Sequence, residues 1–334
     1  MSATAWTFLF SLAAAAMLVA PLMPAWSEWA WPTDHEPLSV APDSTSRADF
    51  FAAHFRDTLQ RERTPAMLPP PSEWGLEREA IVVERSLLLH APARTAATVY
   101  VDGDFEAPAT SVFGAVLATG DLHLGEECQV QQWAHADGSL VLARGCTALR
   151  RVSAGISMRL DSECTFERVH APRVQFGSDE SRLASPQAVR GDATPFSALP
   201  DSRTMAPGFH RVEGNLVLPP DGHYRGNLVV TGSLAIGERT TIDGAVKARR
   251  GVVVGAGARL LGAVCCGGSI HVGRDAYIAG PLVAEADVII GAGTVIGGPG
   301  MPTTVTAQNI MIESGALAHG TVWAREVGVV WGAA

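Results

Sequence analysis

Aromatic residues are scarce in this chain: 7% of it, against 47% hydrophobic residues in total. A core drawn from this composition is narrow and built of Val, Ile, Leu and Ala, with little room for rings. Basic residues are outnumbered by acids, leaving a net charge of −9. That balance argues against a nucleic-acid partner, which would call for a basic stripe. The chain has no P-loop, no G-x-S-x-G nucleophile elbow and no H-E-x-x-H, so no catalytic, cofactor-binding or metal-binding residue is assigned and no cofactor is expected. Five cysteines, an odd number in no disulfide-like framework, fit a reducing compartment.

What the chain does have is glycine, 34 residues of it, placed with regularity. Gly237, Gly255, Gly273 and Gly291 stand 18 residues apart, each preceded by Ile or Val, and Gly244, Gly262, Gly280 and Gly298 keep the same interval. A fixed period is the mark of a repeat architecture. Beneath it runs a six-residue beat, carried by Val230, Ile236, Ile242, Ala248, Val254 and Leu260 and continuing to Ile296 without one charged residue. A helical period of 3.6 cannot hold that register on one face. Three short strands per coil meeting at tight corners can, which predicts an all-β chain folded as a three-sided parallel β-helix.

The same beat runs upstream in another phase, from Ala118 through Leu124, Val130 and Ala136 to Phe166. Residues 99–176 therefore read as a first block of coils and 212–334 as a second. Between them 177–211 is polar, carries four prolines and has no beat; it reads as a loop excursion from one solenoid. After Gly298 the pattern returns shifted by 22 rather than 18 residues, which places a four-residue bulge near Gly300–Thr303, at a corner where repeats accept insertions.

Two residue sets invite chemistry. Cys128, Cys146 and Cys164 are 18 apart and should stack about 4.8 Å apart on successive coils. They occupy the column that holds Thr240, Ala258, Ala276 and Thr294 in the second block, so they read as small core residues, and a single file of thiols cannot supply a tetrahedral site. Among the histidines, His123, His135, His271 and His319 are expected to point outward and His170 inward. None has a carboxylate that spacing places on its face, so solvated surface histidines are expected. Arg144, Arg150, Arg151, Arg159, Arg168 and Arg173 read as a solvated face that discourages lateral sheet association.

From Met1 to Ser27 there is no charge, and about 20 apolar residues suffice to cross a bilayer as a helix. Residues 1–31 are expected to form a transmembrane anchor with an interfacial tryptophan belt. Its lipid-facing candidates are Trp6, Phe8, Leu9, Phe10, Leu12, Met17, Leu18, Val19, Leu22 and Trp26. A cleaved signal peptide is the alternative, but no Lys or Arg precedes the apolar run and Pro24–Ser27 is a poor cleavage site. The nearest basic residues, Arg47, Arg56, Arg61 and Arg63, all follow the segment. They place the body on the cytoplasmic side of an inner membrane, single-pass. Residues 32–98 form a linker with a short helix opening at Ser46, whose stripe is Ala48, Phe51, Ala52, Phe55 and Leu59, then a proline spacer at 69–71. Ile81–Val83 and Ser86–Leu89 look like strands, and Val99–Val101 reads as the start of the first coil.

The second block resembles the bactofilins, a family of polymer-forming bacterial cytoskeletal proteins. The resemblance lies in Gly232–Gly237, Ile242–Val246, Gly251–Gly255, Gly262–Val264 and Ile278–Leu282, where a Gly-x-Val column follows an Ile-x-Gly corner. It implies a right-handed β-helix, nucleotide-free filaments made by end-to-end stacking, and membrane association. The preferred function is therefore a membrane-anchored scaffold whose partners are other copies of itself, the lipid bilayer and recruited proteins not identifiable from sequence. A hexapeptide-type acyltransferase is the alternative. Such enzymes usually end in a capping helix or domain, whereas here the beat continues through Ala318, Ala324 and Val330. An exported β-helix adhesin is a third reading should the N-terminus be cleaved. On the preferred reading the C-terminal coil is an open apolar floor, and Val322, Ala324, Val330 and Trp331 are the expected polymerisation interface, with Trp331 as a plug over a monomeric end as the competing arrangement.

Overall fold

The computed structural model describes residues 80–177 and 192–332, together with Ala5, Trp6, Phe10, Met17, Ala20, Met23 and Arg56. The expected fold class is present: short strands in one continuous sheet wind into a β-solenoid of about 13 turns with about 18 residues per turn. Alternation along each strand decides which residues face in. In Gly251–Val254, Val252 and Val254 are buried while Val253 is exposed. Parallel pairing then stacks like on like, Ile236 on Val254 on Val272, so one column of Val, Leu and Ile runs through successive coils. Such a core is a line rather than a volume, which is why so few rings occur in it.

The corners demand glycine for space. A Cβ on Gly255 would lie 2.6 Å from the Glu238 amide nitrogen of the coil beside it, and one on Gly262 would lie 2.5 Å from the Gly244 backbone. On the coil before the last, Glu313 stands where the column has glycine and does something else. Its carboxylate accepts from the Arg274 guanidinium and from the Ala292 amide, the latter at 2.9 Å, tying together coils 39 residues apart in sequence. Arg274 holds that carboxyl below its ordinary value of 4.5 against the opposing effect of burial. A depressed folded-state value stabilises above pH 4.5, and the contribution is lost as pH falls through the lower value. Thermal melts should therefore show wild type losing more stability between pH 6 and about 3 than Glu313→Gln does; identical pH profiles would contradict the pairing.

Three boundaries differ from the sequence reading. The first rung is Ile81–Val83 with Leu87–Leu88, paired in register with Val99–Val101 and Phe105–Glu106, so the solenoid begins one coil before Val99. The interruption is not loop throughout. Residues 192–211 hold a two-residue strand, the short 3-10 helix Phe196–Ala198 and the strand Ser202–Ala206, which forms an antiparallel hairpin with Phe209–Val212. These residues cap the second block. Phe196 is fully buried and stacks on Tyr224 with centroids 5.5 Å apart, closing the end of the core. A cap occurs once and so leaves no periodic signal.

The third difference is the largest. The last coil of the first block, Thr165–Phe176, pairs with the C-terminal strand Leu317–Trp331, and the pairing is antiparallel. It continues around the whole coil: Thr165 faces Val329, Val169 faces Val322, and Val174 faces Ala318. The two blocks thus meet tail to tail, six rungs from the first and seven from the second. Coils that circulate in opposite senses while advancing toward each other share one handedness, so both blocks wind with the same hand. The length of the interruption follows from this path. Gly177 lies at the junction, beside Ser314, whereas the second block starts at its far end, about 30 Å away at roughly 4.8 Å per rung.

Candidate functional site

Val322, Ala324 and Val330 do gather on one terminal coil, but that coil is not an open floor. All three are fully buried. One edge of their strand is bonded to Thr303–Glu313 and the other to Thr165–Phe176. The Val330 amide donates to the Cys164 carbonyl at 2.9 Å and its carbonyl accepts from the Glu163 amide at 2.8 Å. Only Trp331 is exposed, beside Glu313 on the rim. The expected interface is therefore already occupied, by the chain's own first block. The sequence contained a signal: Gly328 breaks the apolar column because Phe166 needs its space, and a Cβ there would lie 2.3 Å from that ring.

The outside of the junction is closed as well. The Arg168 guanidinium lies 5.3 Å from the ring centroid of Trp323, a cation–π contact between the blocks. His170 Nδ1 is 2.8 Å from Thr321 Oγ1, and His319 Nδ1 is 2.8 Å from the Pro172 carbonyl. His170 lies between inward Val169 and Ala171, so it points outward, contrary to expectation, and His319 is buried rather than solvated.

His135 is the second correction. It faces away from the core yet is 5% exposed, beside Ser153 at 3%. Ser153 Oγ is 2.7 Å from His135 Nδ1, His135 Nε2 is 3.0 Å from Asp137 Oδ1, and Arg56 reaches both Asp137 oxygens at 2.5 Å. Ser153 is one coil after His135 in the same column, and Asp137 follows His135 by two residues, so ordinary strand geometry places a carboxylate on its face after all. The residue types are those of an acyl-transfer triad. Their burial does not suit that chemistry, because an attacking hydroxyl needs a substrate carbonyl about 3 Å away. What the arrangement does is tie Arg56 to the solenoid wall.

The cysteine column is as expected and gains a reason. Cys128, Cys146 and Cys164 each donate S–H to a corner carbonyl of the preceding coil, those of Pro108, Gly125 and Ala143, all at 3.1 Å. Thr240 and Thr294 donate to the Pro219 and Gly273 carbonyls in the same way. The contact with Cys146 and burial push the Cys128 thiol far above its ordinary range. Cys146 is pushed up to about 12, the lowering contact with Cys128 being outweighed by that with Cys164 and by burial. Protonated thiols neither ligate metals nor attack electrophiles. Iodoacetamide at pH 8 should accordingly label only half-exposed Cys265 in the native protein and all five cysteines after denaturation. Native labelling at Cys146 would contradict the packing.

Two coil ends face outward, away from the junction. At the first-block end, Ile81 and Leu87 continue the core columns of Val99 and Phe105 but are only half-buried, and Leu88 is exposed. Among the described residues this rung is paired on one side only. At the other end, among the described residues, the strand Ser202–Ala206 is paired only with Phe209–Val212, and Met205 and Phe209 are exposed. Unpaired strand edges of this kind are templates for another chain.

Of the expected anchor residues, Trp6, Phe10 and Met17 are helical and exposed, while Phe8, Leu9, Leu12, Leu18, Val19, Leu22 and Trp26 lie outside the described residues, as does most of 32–98. Among the described residues no helix is long and apolar enough to cross a membrane. The chain matches no family model, no curated protein and no solved structure.

Proposed function

We propose that this chain is a non-catalytic scaffold of bactofilin type that assembles end to end through its two outward ends and is held at a bacterial inner membrane by residues 1–31, solenoid on the cytoplasmic side. The observation that carries the reading is the tail-to-tail junction. There, one coil end seals another by backbone pairing around all faces and by stacking Val169 on Val322, with no ligand chemistry required. The same physics acts wherever two unpaired coil edges meet. Two non-equivalent ends that bind each other give an open filament, as do two ends that each bind themselves. The charge-free run from Met1 to Ser27 supports attachment to lipid. Proteins recruited to the solenoid's faces are its remaining partners.

Sedimentation and electron microscopy of the full chain with Ile81→Glu test this. The substitution puts a charge on a half-buried position of the terminal rung, so the fold should survive while filaments shorten or vanish. Wild-type protein that stays monomeric, or Ile81→Glu filaments of unchanged length, would overturn the reading.

A further inference from the structure

Alternation along a strand should leave every second side chain of an outer wall facing water. One wall of the first block departs from this. In Val112–Ala118, Val116 and Ala118 point inward and belong to the core. Ala115 and Leu117 point outward, outside the core cluster, yet Leu117 is 0% exposed and Ala115 is buried as well. Along the register the covered column continues from Leu117 to His135 and Ser153, both buried although both face out. The cover is local. On the next wall outward Glu106 and His123 are exposed, and so are outward Val229 and Lys247 where the covered wall continues in the second block. Arg56, itself helical, reaches this wall from 81 residues before Asp137.

We infer that this wall is the seat of the chain's own residues 48–59, which dock along it as an amphipathic helix with Arg56 as the polar pin. Charge selects the occupant. The Arg56 guanidinium donates to both Asp137 oxygens, and Asp137 Oδ1 also meets His135 Nε2, so the pin lies beside the covered column. Spacing sets which side of the helix turns inward. Ala52 stands four residues before Arg56 and Leu59 three after it, so on a helix both lie next to the pin. Ala48, Phe51 and Phe55 complete that stripe, and its side chains supply the apolar surface that excludes water from Leu117. Length agrees. A helix over 48–59 is about 18 Å long, enough to cross the rungs of Tyr100, Leu117, His135 and Ser153, which extend over roughly 14 Å. Continuity agrees too, because the compact unit that contains the solenoid begins at Ala48. The docked helix makes the preceding residues leave the solenoid from the side of its first block, not from its end rung. The docking rests on neither the filament nor the membrane reading.

The test is hydrogen–deuterium exchange of the full chain, read by mass spectrometry on peptides covering 48–59. In wild type these amides should exchange at least about tenfold slower than the same sequence as a free peptide. Leu117→Glu alters an outward side chain and leaves the core columns intact, and Arg56→Asp lies outside the solenoid altogether. Each should remove most of that protection. Val253→Glu, at an exposed position of the second block, should leave it unchanged. Circular dichroism melts show whether Leu117→Glu keeps the solenoid; if it does not fold, Arg56→Asp alone decides. Free-peptide exchange in wild type overturns the docking, as does protection that survives either substitution in a folded protein. Protection found at 64–79 instead of 48–59, or equal loss in Val253→Glu, overturns it as well.

Discussion

Val330→Glu is expected to break the fold at the junction rather than merely block assembly. Val330 is fully buried, stacked on Ile312 and bonded through its backbone to Glu163 and Cys164. The substitution forfeits about 1.5–3 kcal/mol of side-chain burial. It also places a carboxyl between two sealed coils without a partner, which costs several kcal/mol more whether the group ionises or is held protonated. The sum is large against a typical domain stability of about 5–15 kcal/mol. Thermal melting followed by circular dichroism should show an early transition or insoluble protein. Trp331→Ala, one residue on but exposed on the rim, should melt within a few degrees of wild type. If Val330→Glu melts like wild type, the C-terminal coil is not sealed by the first block.

A similar loss is expected deep in the second block. Val254→Asp places an unpaired charge in the column between Ile236 and Val272, where Val254 is buried, at a cost on the order of 4–6 kcal/mol. In a stack where each coil contacts only its neighbours, the damage should spread through adjacent coils before it reaches the far block. Limited proteolysis should then cut first within about 230–280. Arg259→Asp loses the guanidinium's contact with Tyr277, at 5.4 Å, worth about 0.5–1 kcal/mol at a partly exposed site. Equal destabilisation by the two would mean that the inward register is misassigned.

The coil register was legible because it repeats. Gly255, Val254 and Cys146 each stand in a column, and a column shows itself in spacing alone. What spacing could not show is anything that happens once. Phe196 caps a core end from outside the repeat. His135, Ser153 and Asp137 come together because a covered outer face lets polar side chains meet. The junction was hidden for a further reason. Antiparallel pairing of Thr165–Phe176 with Leu317–Trp331 joins segments about 150 residues apart in sequence, and an unbroken beat up to Val330 reads the same whether its end is open or sealed. Gly328 was the local clue, a gap in the apolar column that makes sense only with Phe166 lying across it.

The axial repeat of the proposed filament tests the central claim most directly. With the two blocks joined tail to tail, each chain contributes 13 rungs to one axis, or about 62 Å at 4.8 Å per rung. Cryo-electron microscopy of the full-length assembly should therefore give a subunit repeat of about 62 Å, or about twice that if like ends alternate, with cross-β spacing unbroken through the internal junction. A repeat matching only the seven rungs of the second block, or discrete particles with no axial repeat at all, would contradict it.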